Sequence, residues 1–177
     1  MHWVGNWSLD HPAVAYEFAR RGVRQSYVDY FRLVAELAES GAVQVLAHPD
    51  VVKKFGHRCA EEPTDLYQRV VDAARRGGVA MEVSSAGLRY EVAEPYPAPT
   101  LLRMSRRAGV PITLASDAHY PEQAADRHRV LVSYARAAGY REQLSFRVGG
   151  TATLVPLPDP NGMPDPERMP EPDPTET

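Results

Sequence analysis

The chain has 177 residues, a net charge of −3 and 44% hydrophobic residues, enough to build the core of one ordinary domain. Most of the acidic excess lies after Val155, so the rest of the chain is weakly positive and lacks the basic footprint expected of a nucleic-acid-binding protein. A single cysteine, Cys59, excludes an internal disulfide framework. Without a long apolar run or a signal-peptide pattern, the sequence predicts a cytoplasmic protein with no membrane span.

Helix and strand patterns alternate along the chain. Apolar residues at helical spacing, often with proline at the start and glycine after the end, mark the helices, and short apolar runs mark the strands. The predicted helices span 25–40, 63–77, 99–108 and 121–138, and the predicted strands span 42–47, 79–83, 112–115 and 151–155. This alternation predicts an α/β fold with a parallel sheet, either doubly wound or closed into a barrel.

The two ends of the chain depart from this pattern. The segment His2-Trp3-Val4 resembles the end of a strand whose start is missing, because a parallel α/β domain normally opens with a full strand and its helix. After residue 155, eight of 22 residues are prolines and most others are polar, which predicts a disordered tail over 156–177. The sequence therefore predicts one domain over 1–155 that begins inside its fold.

Polar residues follow the predicted strands at the sheet edge where parallel α/β folds bind ligands. His48 follows strand 42–47, Asp117 and His119 follow strand 112–115, and His2 lies at the first strand fragment. If the chain stays extended after residue 115, Asp117 and His119 point to the same side. Imidazole nitrogen and carboxylate oxygen are ligands of zinc, manganese and iron, so these four residues are candidate ligands of one metal site.

Each of these residues also has an ordinary structural interpretation. Asp117 could cap a helix that begins near Pro121, with His119 packed against the edge of that helix. His48 could be a hydrogen-bonded loop residue, and His2 could be a frayed residue beside the chain terminus.

A second group of polar residues belongs to the predicted strand 79–83 and the loop after it. Glu82 lies inside the strand, where a carboxylate must either find donors or face a cavity. In the loop, two serines, a glycine and Arg89 suit an oxyanion, because a guanidinium can grip phosphate through two parallel hydrogen bonds. The alternative is a surface arginine near Glu91. A basic cluster near the same edge of the sheet could contact the substrate, or its residues could belong to a solvated loop. It consists of Lys53, Lys54 and Arg58.

Four stretches of the sequence resemble the PHP-family histidinol-phosphate phosphatases. They are HW with a following W at 2–7, VLAHPDVVKKFG at 45–56, MEVSSAGLRYEVAEPYP at 81–97 and GVPITLASDAHYPE at 109–122. The likeness spans residues 1–155. It implies a distorted (βα)7 TIM-like barrel with up to three divalent metal ions at the carboxyl ends of its strands. It also implies hydrolysis of L-histidinol phosphate to L-histidinol and phosphate in histidine biosynthesis.

The resemblance assigns roles to particular residues. It implies that His2, His48, Asp117 and His119 are metal ligands, that the last three of these act in catalysis, and that Arg89 contacts the substrate phosphate. Family members open with a His-x-His strand, which this sequence does not contain. The resemblance therefore implies an N-terminally truncated chain, in which 1–155 is the carboxyl-terminal two thirds of a PHP domain and the first strands and helices of the barrel are missing.

Three functions remain open at this point. The first is a metal-dependent histidinol-phosphatase, impaired in the truncated chain, that acts on a small-molecule phosphate ester. The second is a non-catalytic remnant or half of a split assembly, in which an open sheet edge would allow self-association. The third is a PHP phosphoesterase with another substrate. The loop EVSSAGLRYEVAEPYP favours the first function, and the weak net charge disfavours a DNA substrate.

Overall fold

The computed structural model describes residues 2–149 and 151–162. Its α-helices alternate with short strands along most of this range. The helices are α1 (Glu17–Arg21), α2 (Val23–Glu39), α3 (Thr64–Gly77), α4 (Pro99–Arg107) and α5 (His128–Ala137). The strands are β1 (Trp3–Val4), β2 (Trp7–Ser8), β3 (Val45–Leu46), β4 (Ala80–Ser84), β5 (Ile112–Ala115), β6 (Glu142–Phe146) and β7 (Ala152–Pro156). None of the helices in these ranges is long and apolar enough to cross a bilayer.

The central sheet is parallel, as predicted, with the strand order β3, β4, β5. All five residues of β4 are buried, which fits its central place between two neighbours. The helices α3 and α4 connect these strands and pack against each other. In the described part of the chain the sheet has three strands and does not close, so the α/β class is confirmed and the expected barrel is not.

Two hydrophobic clusters support this sheet. The larger cluster lies where α2 packs on α3 and includes the rings of Tyr30, Phe31 and Tyr67, which meet edge to face. Tyr30 and Phe31 fall on the apolar face that the sequence pattern predicts for a helix over 25–40, and Tyr67 meets them from α3. The smaller cluster gathers residues of β4, β5, α4 and α5 with one residue between α5 and β6 and one residue after β7. Its buried members are Val83, Leu102, Ile112, Leu131, Ala135, Tyr140 and Leu157.

Two predicted elements are shorter in the structure. The strand expected over 42–47 is reduced to β3, which has two residues. The helix expected over 121–138 begins only at His128, because Pro121–Gln123 forms a 3-10 turn and Ala125 and Arg127 then adopt positive φ angles of 57° and 54°. Positive φ is incompatible with a right-handed helix, so the apolar spacing alone misplaced the start of this helix.

Both ends of the described chain form antiparallel pairs that the sequence did not predict. β1 pairs with β2, so Trp3–Val4 is the first arm of a hairpin and not the end of a parallel strand. β7 pairs with β6 and continues to Pro156, and Leu157 after it is only 3% exposed. Ordered structure therefore passes the predicted boundary at residue 155, while 163–177 of the predicted tail lie outside the described residues.

A buried ion pair fixes the loop that follows β3. Lys53 Nζ lies 2.8 Å from Asp50 Oδ2, and the two side chains are 2% and 0% exposed. The Asp50 carboxylate also accepts a 2.7 Å hydrogen bond from the backbone N–H of Ala98, the residue before α4. Lys53 Nζ reaches Glu94 Oε1 as well, at 2.5 Å. The pair therefore ties the end of one strand to the start of the helix that leads into another.

Replacement of Asp50 by alanine is expected to lower the free energy of unfolding by about 3 kcal/mol, because it removes the buried partner of a buried ammonium. Urea unfolding at neutral pH measures this loss. Asp65→Ala is the matched control, since Asp65 is 56% exposed and pairs with Arg24 at the surface. It should cost less than about 1 kcal/mol. Equal losses in the two variants would contradict the structural role of Asp50.

Candidate active site

All four strand-end residues predicted as metal ligands line one small cavity of about 60 Å³. Its walls combine imidazoles, carboxylates, one lysine and two tyrosines: His2, Asp10, His48, Val51, Lys54, Ala86, Tyr90, Tyr96, Asp117 and His119. Two larger cavities, of about 260 and 330 Å³, contain none of the four residues. The predicted convergence of His2, His48, Asp117 and His119 is therefore what the structure shows.

The parallel sheet explains why residues far apart in sequence meet here. β3 ends at Leu46, β4 at Ser84 and β5 at Ala115. In each case the residue two positions later lines the cavity, and these residues are His48, Ala86 and Asp117. Since parallel strands in register end at the same edge of a sheet, equal offsets from their ends bring side chains to one place.

His48 is buried and is held through its backbone. It is 7% exposed, has a φ angle of 32°, and donates its backbone N–H to Glu82 Oε2 at 2.6 Å. Burial lowers the pKa of His48 to about 4, so the ring is neutral at pH 7. Its Nδ1 atom is buried and, among the described residues, has no hydrogen-bond partner. The cavity wall therefore contains a neutral imidazole whose Nδ1 atom makes no hydrogen bond to the described residues.

Glu82 shows how a buried carboxylate in a strand is accommodated. The side chain is 9% exposed and reaches across to the backbone of His48 on the neighbouring strand end. Burial raises the pKa of Glu82, the bond from His48 opposes that rise, and the nearby Asp117 carboxylate adds to it. The expectation that Glu82 finds a donor is confirmed.

His2 is oriented by Asp10, which the sequence analysis did not single out. His2 Nδ1 lies 2.5 Å from Asp10 Oδ2, and Ser8 Oγ donates to the other carboxylate oxygen at 2.9 Å. Burial alone would raise the pKa of Asp10, but the hydrogen bonds from His2 and Ser8 lower it. An ionised carboxylate can only accept, so Nδ1 of His2 carries a proton. The ring of His2 meets that of His48 edge to face, with centroids 4.9 Å apart.

Asp117 and His119 share the cavity, but for a different reason than predicted. The chain does not stay extended, because Asp117 adopts a left-handed φ of 51°. His119 Nδ1 lies 3.0 Å from the Asp117 carbonyl oxygen, which can only accept, so Nδ1 of His119 also carries a proton. Asp117 is not a helix cap either: Tyr120 precedes the 3-10 turn and no side chain caps it.

Arg89 is not among the residues that line the cavity. Its guanidinium donates to the backbone carbonyls of Ser116 and Asp117 at 2.8 and 3.0 Å and to the Asp126 carboxylate at 3.2 Å. The alternative of a surface arginine near Glu91 is also not what the structure shows, because the Arg89 side chain is only 17% exposed and pairs with Asp126. The contact between Arg89 and a substrate phosphate stays a prediction.

The predicted basic cluster divides between two places. Lys54 lines the cavity, where its Nζ donates to the Asp10 carbonyl at 3.3 Å and lies 4.2 Å from the ring centroid of Tyr90. Lys53 and Arg58 instead pair with Glu94, away from the cavity. Lys54 is therefore the member of the cluster that a ligand in this cavity would meet.

The cavity contains suitable metal donors but not a finished metal site. Three imidazoles and the carboxylates of Asp10 and Asp117 are the donor types that zinc, manganese and iron accept. Within 2–149 and 151–162, however, no group of three or more His, Cys, Asp or Glu side chains is arranged to hold a metal ion. As they stand, the described residues of the cavity do not fit a complete metal site.

The lowered pKa of His48 predicts acid sensitivity. An unfolded imidazole takes up a proton near pH 6.5, whereas the folded ring stays neutral down to about pH 4. The unfolded state therefore binds more protons in this window, and stability falls as the pH falls through it, by about 3 kcal/mol from this group. Urea unfolding from pH 7 to 4 should show a flatter pH dependence for His48→Gln. The exposed His11→Gln control should keep the full slope, and an unchanged slope in His48→Gln would contradict the assignment.

Comparison with known proteins points to one group of enzymes, although no family model matches the chain. Over 142 residues the chain is 37% identical to a "Probable histidinol-phosphatase" of Deinococcus radiodurans, an alignment that covers 80% of the chain and 54% of that relative. The crystal structure of the "putative histidinol phosphatase hisK" from Listeria monocytogenes shares the fold, with a TM-score of 0.61 and 17% identity, over 70% of this chain and 51% of that one. The chain thus spans about half the length of each. The resemblance to histidinol-phosphatases that the motifs predict is confirmed over 80% of the chain.

Proposed function

We propose that the chain forms part of the active site of a phosphatase that hydrolyses L-histidinol phosphate. The observation that carries this proposal is the meeting of His2, His48, Asp117 and His119 in one cavity, where the last three residues follow the ends of parallel strands. The similarity to a histidinol-phosphatase over 142 residues supports the choice of substrate. A small-molecule phosphate ester is the ligand that this proposal requires, and histidine biosynthesis is the process it serves.

The cavity offers groups that suit phosphate-ester hydrolysis. Such a reaction needs a group that moves a proton and positive charge that stabilises the phosphoryl oxygens. In His2 and His119, Nδ1 is engaged in a hydrogen bond, which leaves Nε2 as the nitrogen that can exchange a proton. Lys54 is the lysine of the cavity wall and is suited to a phosphoryl oxygen. The Asp117 carboxylate supplies a further proton acceptor.

We also propose that activity depends on divalent metal ions, zinc, manganese or iron, with up to three in a complete site. The donor types and the resemblance support this proposal. Because no group of three described donors is arranged to hold an ion, such a site would need donors in addition to those the cavity provides. Water, substrate oxygens or a further polypeptide segment are suitable sources.

One observation favours a second candidate, in which the chain is half of a split assembly or a non-catalytic remnant. In the described residues β3 pairs on one side only, with β4. An open edge of this kind is where a partner or a second copy would pair. A third candidate, a phosphatase for another ester, has the same site chemistry and differs only in substrate.

Turnover of L-histidinol phosphate tests the proposal directly. His48→Ala and Asp117→Asn are expected to lower kcat/KM by about 100-fold, because each removes a polar group from the cavity wall. His11→Ala is the control, since His11 is exposed and does not line this cavity. Release of phosphate from histidinol phosphate and from an aryl phosphate is the measurement. If both His48→Ala and Asp117→Asn keep the wild-type turnover, the chemistry takes place outside this cavity. If the wild-type chain hydrolyses the aryl phosphate but not histidinol phosphate, another substrate is favoured.

Metal removal tests the second part of the proposal. Dialysis against a chelator should abolish turnover, and added zinc, manganese or iron should restore it. Elemental analysis of the purified chain should show less bound metal in His48→Ala than in His57→Ala, since His57 stacks on Phe18 and does not line the cavity. Equal metal content in the two variants, or turnover insensitive to the chelator, would contradict metal dependence at this site.

A further inference from the structure

We infer that Arg89 is a positioning residue that holds the loop bearing Asp117 and His119, in place of the phosphate contact expected from the resemblance. This inference rests on the proposed function, because it assigns Arg89 a role in the same site. Arg89 belongs to the 3-10 turn Ala86–Arg89 that follows β4, and the loop it holds follows β5.

Three hydrogen bonds commit the guanidinium to this loop. Nη2 donates to the carbonyl oxygens of Ser116 and Asp117 at 2.8 and 3.0 Å, and Nη1 donates to Asp126 Oδ2 at 3.2 Å. The side chain is 17% exposed, so these bonds are largely shielded from solvent. A planar guanidinium can satisfy several acceptors at once in a fixed geometry, which a lysine cannot.

The Asp117 carbonyl links Arg89 to the chemistry of the cavity. This oxygen accepts from Arg89 Nη2 and also lies 3.0 Å from His119 Nδ1. One acceptor therefore fixes both the backbone of a carboxylate residue and the orientation and tautomer of an imidazole. Asp117 holds a left-handed φ of 51°, a conformation that residues with side chains rarely adopt and that persists only when surrounding contacts support it.

A second set of bonds joins the same two loops beside Arg89. Ser85 donates its backbone N–H to the Ala115 carbonyl at 3.1 Å and its hydroxyl to the Asp126 carbonyl at 2.8 Å. Arg127 donates to the Leu88 carbonyl at 2.8 Å. Asp126 therefore accepts from Arg89 Nη1 through its carboxylate, while its own backbone carbonyl is held by the Ser85 hydroxyl.

The same contacts argue against phosphate binding by Arg89. To meet a ligand in the cavity, its guanidinium would have to leave the carbonyls of Ser116 and Asp117. Lys54 differs in that it lines the cavity together with its own partner Asp10, which lies 3.3 Å away at the carbonyl and 3.7 Å away at the carboxylate. Asp126 does not line the cavity either, so a loss caused by Asp126→Asn cannot come from a lost contact with the substrate.

Arg89→Gln, Arg89→Lys and Asp126→Asn in the full chain separate the two roles. Positioning predicts that kcat falls ~10–100-fold in Arg89→Gln and less in the other two, while KM and the inhibition constant for inorganic phosphate stay within about threefold. Arg32→Gln is the matched control, because Arg32 is exposed and pairs with Glu36 on α2. A tenfold rise in the phosphate inhibition constant of Arg89→Gln with an unchanged kcat would overturn the inference in favour of a phosphate contact.

A spectroscopic measurement decides the inference even if the chain shows no turnover. In the metal-free protein, nitrogen-15 NMR should report the Nδ1–H tautomer of His119, and this signature should shift toward a mixture in Arg89→Gln and Asp126→Asn but not in Arg32→Gln. An unchanged His119 tautomer in both variants would overturn the positioning role. Absence of turnover in the wild-type chain would instead count against the proposed function, which keeps the two failures distinct.

Discussion

The parallel register of β3, β4 and β5 is the constraint on which the candidate site depends. Three residues that lie two positions beyond the ends of these strands line one cavity, and two of them, His48 and Asp117, carry polar groups. The bond from the His48 backbone to Glu82 spans two neighbouring strands at this edge. It couples the alignment of the sheet to the position of the imidazole, since a shift of one strand by one residue would reverse the direction of its side chains.

Two kinds of orientation hold the imidazoles in place. His2 and His119 each use Nδ1 to bond a fixed acceptor, the Asp10 carboxylate in one case and the Asp117 carbonyl in the other. Within the described ranges, Nδ1 of His48 has no such acceptor, and the residue is held through its backbone and by burial, which also keeps the ring neutral. The cavity therefore presents two imidazoles whose Nδ1 atoms are already engaged and a third that is neutral, and such preorganisation suits a catalytic or binding site.

The sequence predicted the parts of the fold that depend on local patterns. The bounds of β5 agree with the apolar run 112–115, and the meeting of His48 with Asp117 at one sheet edge followed from the parallel alternation. What it missed depends on contacts between distant residues. Asp10 reaches His2 because β1 and β2 form a hairpin, and Arg89 finds Asp126 37 positions away. β6 lacks the apolar run of the other strands and is formed through its pairing with β7.

The two edges of the sheet differ in how well they could accept a partner. At β5, the backbone N–H of Leu114 already donates to the Gln143 side chain at 3.1 Å, and β6 packs alongside. At the other edge, β3 offers a ladder of only two residues, and short edge strands are one way in which proteins limit unwanted pairing. Two residues supply few hydrogen bonds. A partner that used this edge would therefore need to bury apolar surface beside β3 as well as extend the sheet, and a strand alone would bind too weakly.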